Sequence, residues 1–174
     1  MQLWRQLRGP VFVPIVVTVV APALIVLAWG LRPLDVSPAV GWVLAALGGA
    51  AIATGLVLWT WTVTLFDRIG NGTLAPWDPP GRLVVRGPYR HVRNPMITGV
   101  FAILAGEAIA GRSWPLLVWF AIFLTPQAIV VPSWEEPQLA RRFGPDYEEY
   151  LKQVPRWLPR VRAWTPSRAG QRRT

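Results

Sequence analysis

Three stretches without a charged side chain limit what this chain can fold into. Pro10 to Leu31, Val36 to Phe66 and Ser113 to Trp134 contain no Asp, Glu, Lys or Arg. A buried helix of a soluble domain rarely needs more than about 14 apolar residues in a row, whereas crossing a bilayer takes roughly 20. Helices alone among open structures satisfy their own backbone in lipid. The chain therefore reads as an all-α integral membrane protein.

Four spans are expected, at about 11–31, 39–66, 95–111 and 114–132. The connecting segments then alternate between two sides. Every Lys and Arg except Arg32 and Arg112 falls on the side of the amino-terminal segment, the 67–94 loop and the tail. That is the positive-inside pattern, so both termini are expected to be cytoplasmic. It also accounts for the net charge of +9 without nucleic acid as a partner. The opening "MQLWRQLRG" resembles the basic start of a signal peptide. The apolar run behind it is longer than the 7–15 residues of a cleaved segment, which favours an uncleaved signal anchor. With no cysteine, disulfides, thiolate zinc sites and cysteine nucleophiles are excluded, and the single histidine, His91, cannot hold a metal by itself. The preference for Arg over Lys points to a GC-rich prokaryotic gene and hence to a prokaryotic cytoplasmic membrane.

Pro14 and Pro22 interrupt the first span, and neighbouring helices must shelter the carbonyls they free. Ser37-Pro38 reads as an N-cap and first helical residue for the second span. Its Ala45, Gly48, Gly49, Ala51, Ala53 and Gly55 offer a surface that another backbone can approach closely. Trp29, Trp42, Trp59, Trp61, Trp114 and Trp134 fall near span ends, where the indole prefers the headgroup zone. Only Gly-Arg-Ser joins the third and fourth spans, which must form an antiparallel hairpin. The 67–94 loop is rich in turn chemistry, and a connection this long is uncommon unless functional. It includes Asn71-Gly72-Thr73, a glycosylation sequon by coincidence on a cytoplasmic loop. Near the end, Tyr147, Tyr150, Leu151 and Val154 form one apolar stripe between Pro145 and Pro155, which reads as an amphipathic interfacial helix. Three regions result: a two-span part (1–66), a functional core (67–160) and a basic, disordered tail (161–174).

The densest polar cluster, "GPYRHVRNPM", lies directly before the apolar third span. Asn94 is a good N-cap and Pro95 suits the first helical position. The cluster therefore surrounds a helix start, where free N–H groups and Arg86, Arg90 and Arg93 favour an anion. The plainer reading is that these arginines bind lipid phosphates and fix topology. At the end of the fourth span stands Glu135-Glu136. Ser133-x-x-Glu136 matches a capping box, which explains one carboxylate but not two. Carboxylates on one wall and a basic helix start on the other would suit a ligand with both an amino and a carboxyl group. Glu107, within the third span, is either functional or paired with Arg112. His91 is either a base or a polar loop residue.

"LVVRGPYRHVRNPMITG" followed by "EEPQLARRFGPDYEEYLKQVPRWLP" resembles the isoprenylcysteine carboxyl methyltransferase and phospholipid methyltransferase superfamily, over roughly residues 70–160. The resemblance implies a multi-span enzyme using S-adenosylmethionine on a lipophilic acceptor: an isoprenylcysteine-like carboxylate, a phospholipid amine or another apolar molecule. It places Gly87, Tyr89, Asn94 and Pro95 in the cofactor pocket, with Glu135 and Glu136 on the cofactor's amino group and Leu139 packed against it. Arg93 would steer an anionic acceptor and Tyr89 orient it. Asn94 stands where the isoprenylcysteine enzymes carry histidine, and Met96-Ile97 where they carry an aromatic residue. Asparagine there is closer to bacterial and lipid-methylating members. Two other readings remain open. One is an isoprenoid or sterol reductase, although the chain has no glycine-rich dinucleotide turn; the other is a non-catalytic subunit that binds lipid or a partner.

Overall fold

A computed structural model describes residues 12–69 and 83–165. The amino-terminal segment, the sequon with the turn motifs of 70–82, and the basic end from 166 lie outside the described residues. Among the described residues the regular structure is helical, without strands. Helix α1 is Phe12–Trp29, α2 Pro38–Ile69, α3 Pro95–Gly111 and α4 Trp114–Val130. A π turn, Val131–Glu135, continues α4 into α5, Glu136–Phe143. Helix α6 is Pro145–Gln153. Three helices are long and apolar enough to cross a membrane: α1, α2 and the continuous rod Trp114–Phe143. The apolar α3 is shorter, at 17 residues.

Burial explains how a short helix belongs here. Leu27, Trp42, Leu47, Val57 and Ile122 are each more than half exposed. Such an apolar surface suits lipid, not water. Helix α3 is the interior element: Gly99, Val100, Ile103, Leu104, Gly106 and Ala108 are buried, chiefly against α2 and also against α4. The α2–α3 seam runs antiparallel through paired glycines. A Cβ on Gly48 would fall 2.5 Å from the Gly106 carbonyl oxygen, and one on Gly55 would fall 2.5 Å from that of Gly99. Close backbone approach substitutes for the hydrophobic drive that lipid does not supply.

A π turn, Val16–Val20, precedes Pro22 in α1. The Ala21 N–H reaches back to the Val16 carbonyl. The next acceptor in that register, the Val17 carbonyl, faces Pro22, which has no N–H. Trp119 of α4 supplies the missing donor, Nε1 to Val17 O at 3.0 Å. This is the shelter that the sequence required.

The α1–α2 connection meets the α3–α4 turn at one end of the bundle, with Leu34 N–H donating to Arg112 O at 3.0 Å. The turn's left-handed residue is Arg112, φ 50°, which closes α3 through its N–H. The expected Glu107–Arg112 pair does not form. Glu107 Oε2 is buried without a hydrogen-bond partner among the described residues, near the end of α3 remote from Asn94. The stripe on α6 also differs from its expected role. Tyr147, Tyr150 and Val154 are buried against Leu83, Val85, Leu139, Phe143 and Trp164, so protein rather than lipid covers that face. The part of the carboxy-terminal segment up to Thr165 lies along the 89–93 loop.

Candidate active site

At the other end of the bundle the first turn of α3 is overlaid by a cap. It consists of the 83–94 loop, α5, α6 and the segment 154–165. Gly87 opens a 3-10 turn, Gly87–Arg90, from the left-handed region at φ 54°. A Cβ there would also lie 3.2 Å from Trp61 Nε1, so glycine suits both the backbone and the space. The turn is closed by His91 N–H to Pro88 O at 2.9 Å and presents Tyr89. The Tyr150 hydroxyl donates to the Tyr89 carbonyl at 2.7 Å, fixing the turn from α6. Asn94 occupies the N-cap position of α3, but its side chain caps no N–H, and Pro95 is buried beneath it.

The acidic pair reaches the same place by a different route from the one the sequence suggested. Ser133 caps nothing: it lies within the rod and its hydroxyl donates back to the Ile129 carbonyl. What sets the carboxylates is the second π turn. Glu136 N–H bonds to Val131 O, and Pro137 lies one residue beyond, as Pro22 does in the first. The extra residue per turn rotates the two carboxylates relative to a plain α-helix; π turns are frequent at functional sites.

Glu136 is buried, 7% exposed, and ties three segments together. Its Oε1 is 2.9 Å from Arg93 Nη1. Arg156 binds it in a fork, Nε to Oε1 and Nη2 to Oε2, both at 2.7 Å. Bidentate charge-assisted bonds are the strong kind. The hydrogen bond that Arg156 donates to Glu136 raises the Arg156 pKa, with burial opposing it. The Glu135 side chain, beside it, makes no hydrogen bond or ion pair among the described residues. Its charge is felt at Tyr89. Burial first, and Glu135 second, push the Tyr89 phenol above its ordinary value. Tyr147 and Tyr150 are likewise raised, mainly by burial. All three phenols therefore stay protonated at neutral pH.

Of the residues singled out from sequence, Arg93 and Glu136 are in direct contact, and Glu135 lies within electrostatic reach of Tyr89. Leu139 belongs to the apolar cluster under α6, and Gly87 lies against α2 through Trp61. Sequence reasoning missed Arg156. Its only signal was its place in the motif "VPRWLP", since its partner stands 20 residues away. It also missed the clamp between the loop and the carboxy-terminal segment. Arg93 N–H donates to Pro155 O at 2.9 Å, Arg160 N–H to His91 O at 3.0 Å and Trp164 N–H to Arg90 O at 2.9 Å. The His91 Nδ1–H donates to Arg160 O at 2.8 Å, which gives that histidine a structural task.

No group of residues suited to hold a metal ion occurs among the described residues. In the cap, the Glu135 carboxylate has no partner and the buried Arg93 Nε no acceptor among the described residues. With the first N–H groups of α3, for which a helix has no intrahelical acceptors, they bring an acceptor for a cation and donors for an anion to the same end of the bundle. Neither curated proteins nor solved structures give a significant match to the chain. A family profile does: phospholipid methyltransferase, matching residues 43–146. That region holds the α2–α3 seam, Tyr89, Arg93, both glutamates and the start of α6. With more than half of its length matched, the chain belongs to the phospholipid methyltransferase family, within the integral membrane methyltransferase superfamily.

Proposed function

We propose that this membrane methyltransferase uses S-adenosylmethionine, bound at the cytoplasmic face, to methylate a lipophilic acceptor that arrives from the bilayer. The reading rests above all on Glu135, a carboxylate within electrostatic reach of Tyr89 and without a partner among the described residues. The family is one of methyltransferases, and the available donors and acceptors fit an amino acid moiety. Glu135 accepts from its ammonium. Arg93 Nε and the first N–H groups of α3, near Asn94 and Pro95, receive its carboxylate. Glu136, engaged by two guanidinium groups, holds Arg93 and Arg156 in place. Leu139 keeps α6 and the loop packed, and Gly87 with Tyr89 forms the opposite wall.

When bound, S-adenosylmethionine supplies an electrophilic methyl group on a sulfonium. The chain's own work is to exclude water and to align an acceptor that already carries its nucleophile; orientation of this kind contributes roughly 7–11 kcal/mol. Arg93 steers an anionic part of the acceptor and Tyr89, a neutral phenol, orients it. The functional core is residues 67–160, resting on the helices of 1–66. Four spans with both termini in the cytoplasm satisfy the charge distribution and gather the cap at one end of the bundle.

Titration calorimetry of the full chain in lipid nanodiscs with S-adenosylhomocysteine tests this. Saturable binding by the parent, lost in Glu135→Ala at an unchanged unfolding temperature, is expected. A folded parent that binds none would move the weight to a nicotinamide-dependent reductase or a lipid-binding subunit.

A further inference from the structure

Covering the α6 stripe with protein leaves the cap with a different apolar surface. Leu158 is 81% exposed and Val161 96%. These side chains do not project from a loose segment. Trp157, just before them, is fixed to α3: its carbonyl accepts from Thr98 Oγ1 at 3.2 Å, and its ring lies 5.2 Å from Phe101. Arg160, between them, is held by His91 at both its N–H and its carbonyl, and by Gln153 through Nη1.

The anchor sets the level. Thr98 and Phe101 lie roughly 5 and 9 Å into α3 at 1.5 Å per residue. Phe101 packs on Phe120 and Phe123 of α4, within the apolar rod. A strap pinned to these residues reaches down beside the membrane-spanning helices rather than standing above them. It also carries Arg162, which is exposed. Apolar side chains beside cations form the pattern of an interfacial anchor, and cations near a bilayer are attracted to anionic headgroups.

We infer that the strap 156–162 is a second membrane contact: Leu158 and Val161 insert into the headgroup–acyl boundary, and Arg162 binds anionic phospholipid there. The inference does not depend on the methyltransferase reading.

Because the chain has no cysteine, single labels can be placed without background. Leu158→Cys, Val161→Cys and, as a water-facing control on α6, Glu148→Cys would carry nitroxides in the full chain, in nanodiscs of phosphatidylcholine with phosphatidylglycerol. Labels at 158 and 161 should be relaxed more by oxygen than by an aqueous nickel chelate, with the reverse at 148. Shelter at 161 should weaken when phosphatidylglycerol is omitted or when Arg162→Gln is added. Equal chelate access at 161 and 148 in anionic discs would overturn the proposal. Dipolar broadening between labels of two copies would overturn it too, by assigning the surface to self-association. Shelter indifferent to both lipid charge and Arg162→Gln would remove the anionic-lipid assignment.

Discussion

Between α2 and α3, two backbones meet at Gly48, Gly55, Gly99 and Gly106. Over the start of α3, by contrast, segments distant in sequence are joined through one carboxylate, two guanidinium groups and a ladder of backbone bonds. The seam works through the absence of side chains, because in lipid only close contact distinguishes a helix neighbour from the solvent. The cap is ordered instead by charge-assisted bonds whose partners are mostly buried. The first arrangement has no room for a side chain at its crossing points. The second gathers the residues that the proposed function uses.

The largest break in the comparison comes from the cap. Glu136→Ala leaves Arg93 and Arg156 facing each other without their carboxylate. Removing one partner of a buried pair costs about 3–5 kcal/mol. Thermal unfolding in detergent should show that loss, with early proteolysis after Gln153 and the bundle still inserted. An unchanged profile would mean that the ion triad does not order the cap. Next comes the seam. Gly55→Val places carbon 2.5 Å from the Gly99 carbonyl oxygen and 2.7 Å from Ile103 Cγ1. Overpacking of this kind costs about 1–3 kcal/mol. The effect should be the same at low and high salt, whereas the exposed edge of the Arg156–Glu136 contact should weaken with salt. The smallest effect tests whether polar contacts matter in the bundle at all. Trp119→Phe removes the donor to Val17 O, and such bonds between membrane helices average about 0.6 kcal/mol. A larger loss would indicate that the π turn of α1 depends on that one bond.

Legibility differed between the same two regions. Small residues at Gly48 and Gly55 announced a helix-packing face, and prolines at 38, 95 and 145 announced helix starts, because these signals act within one turn of chain. In the cap, local reading misled. Ser133-x-x-Glu136 has the form of a capping box, yet the helix runs through Ser133, and the hydroxyl that would have capped it bonds back to Ile129. The α6 stripe looked ready for lipid because nothing in nine residues reveals that Leu83, Val85 and Trp164 will cover it.

By itself the sequence determined that this protein lives in a bilayer, where α2, α3 and α6 begin, and which two motifs carry its family likeness. Those properties follow from hydrophobic length, backbone chemistry and local spacing. Tertiary structure alone decided that the two adjacent glutamates differ. A π turn before Pro137 orients them, Arg93 and Arg156 arrive from opposite directions in the chain to engage Glu136, and Glu135 is left without a partner among the described residues. The physical reason is range. A carboxylate's partner is set by which charges lie within a few ångströms, and folding brings those from positions that no local pattern connects.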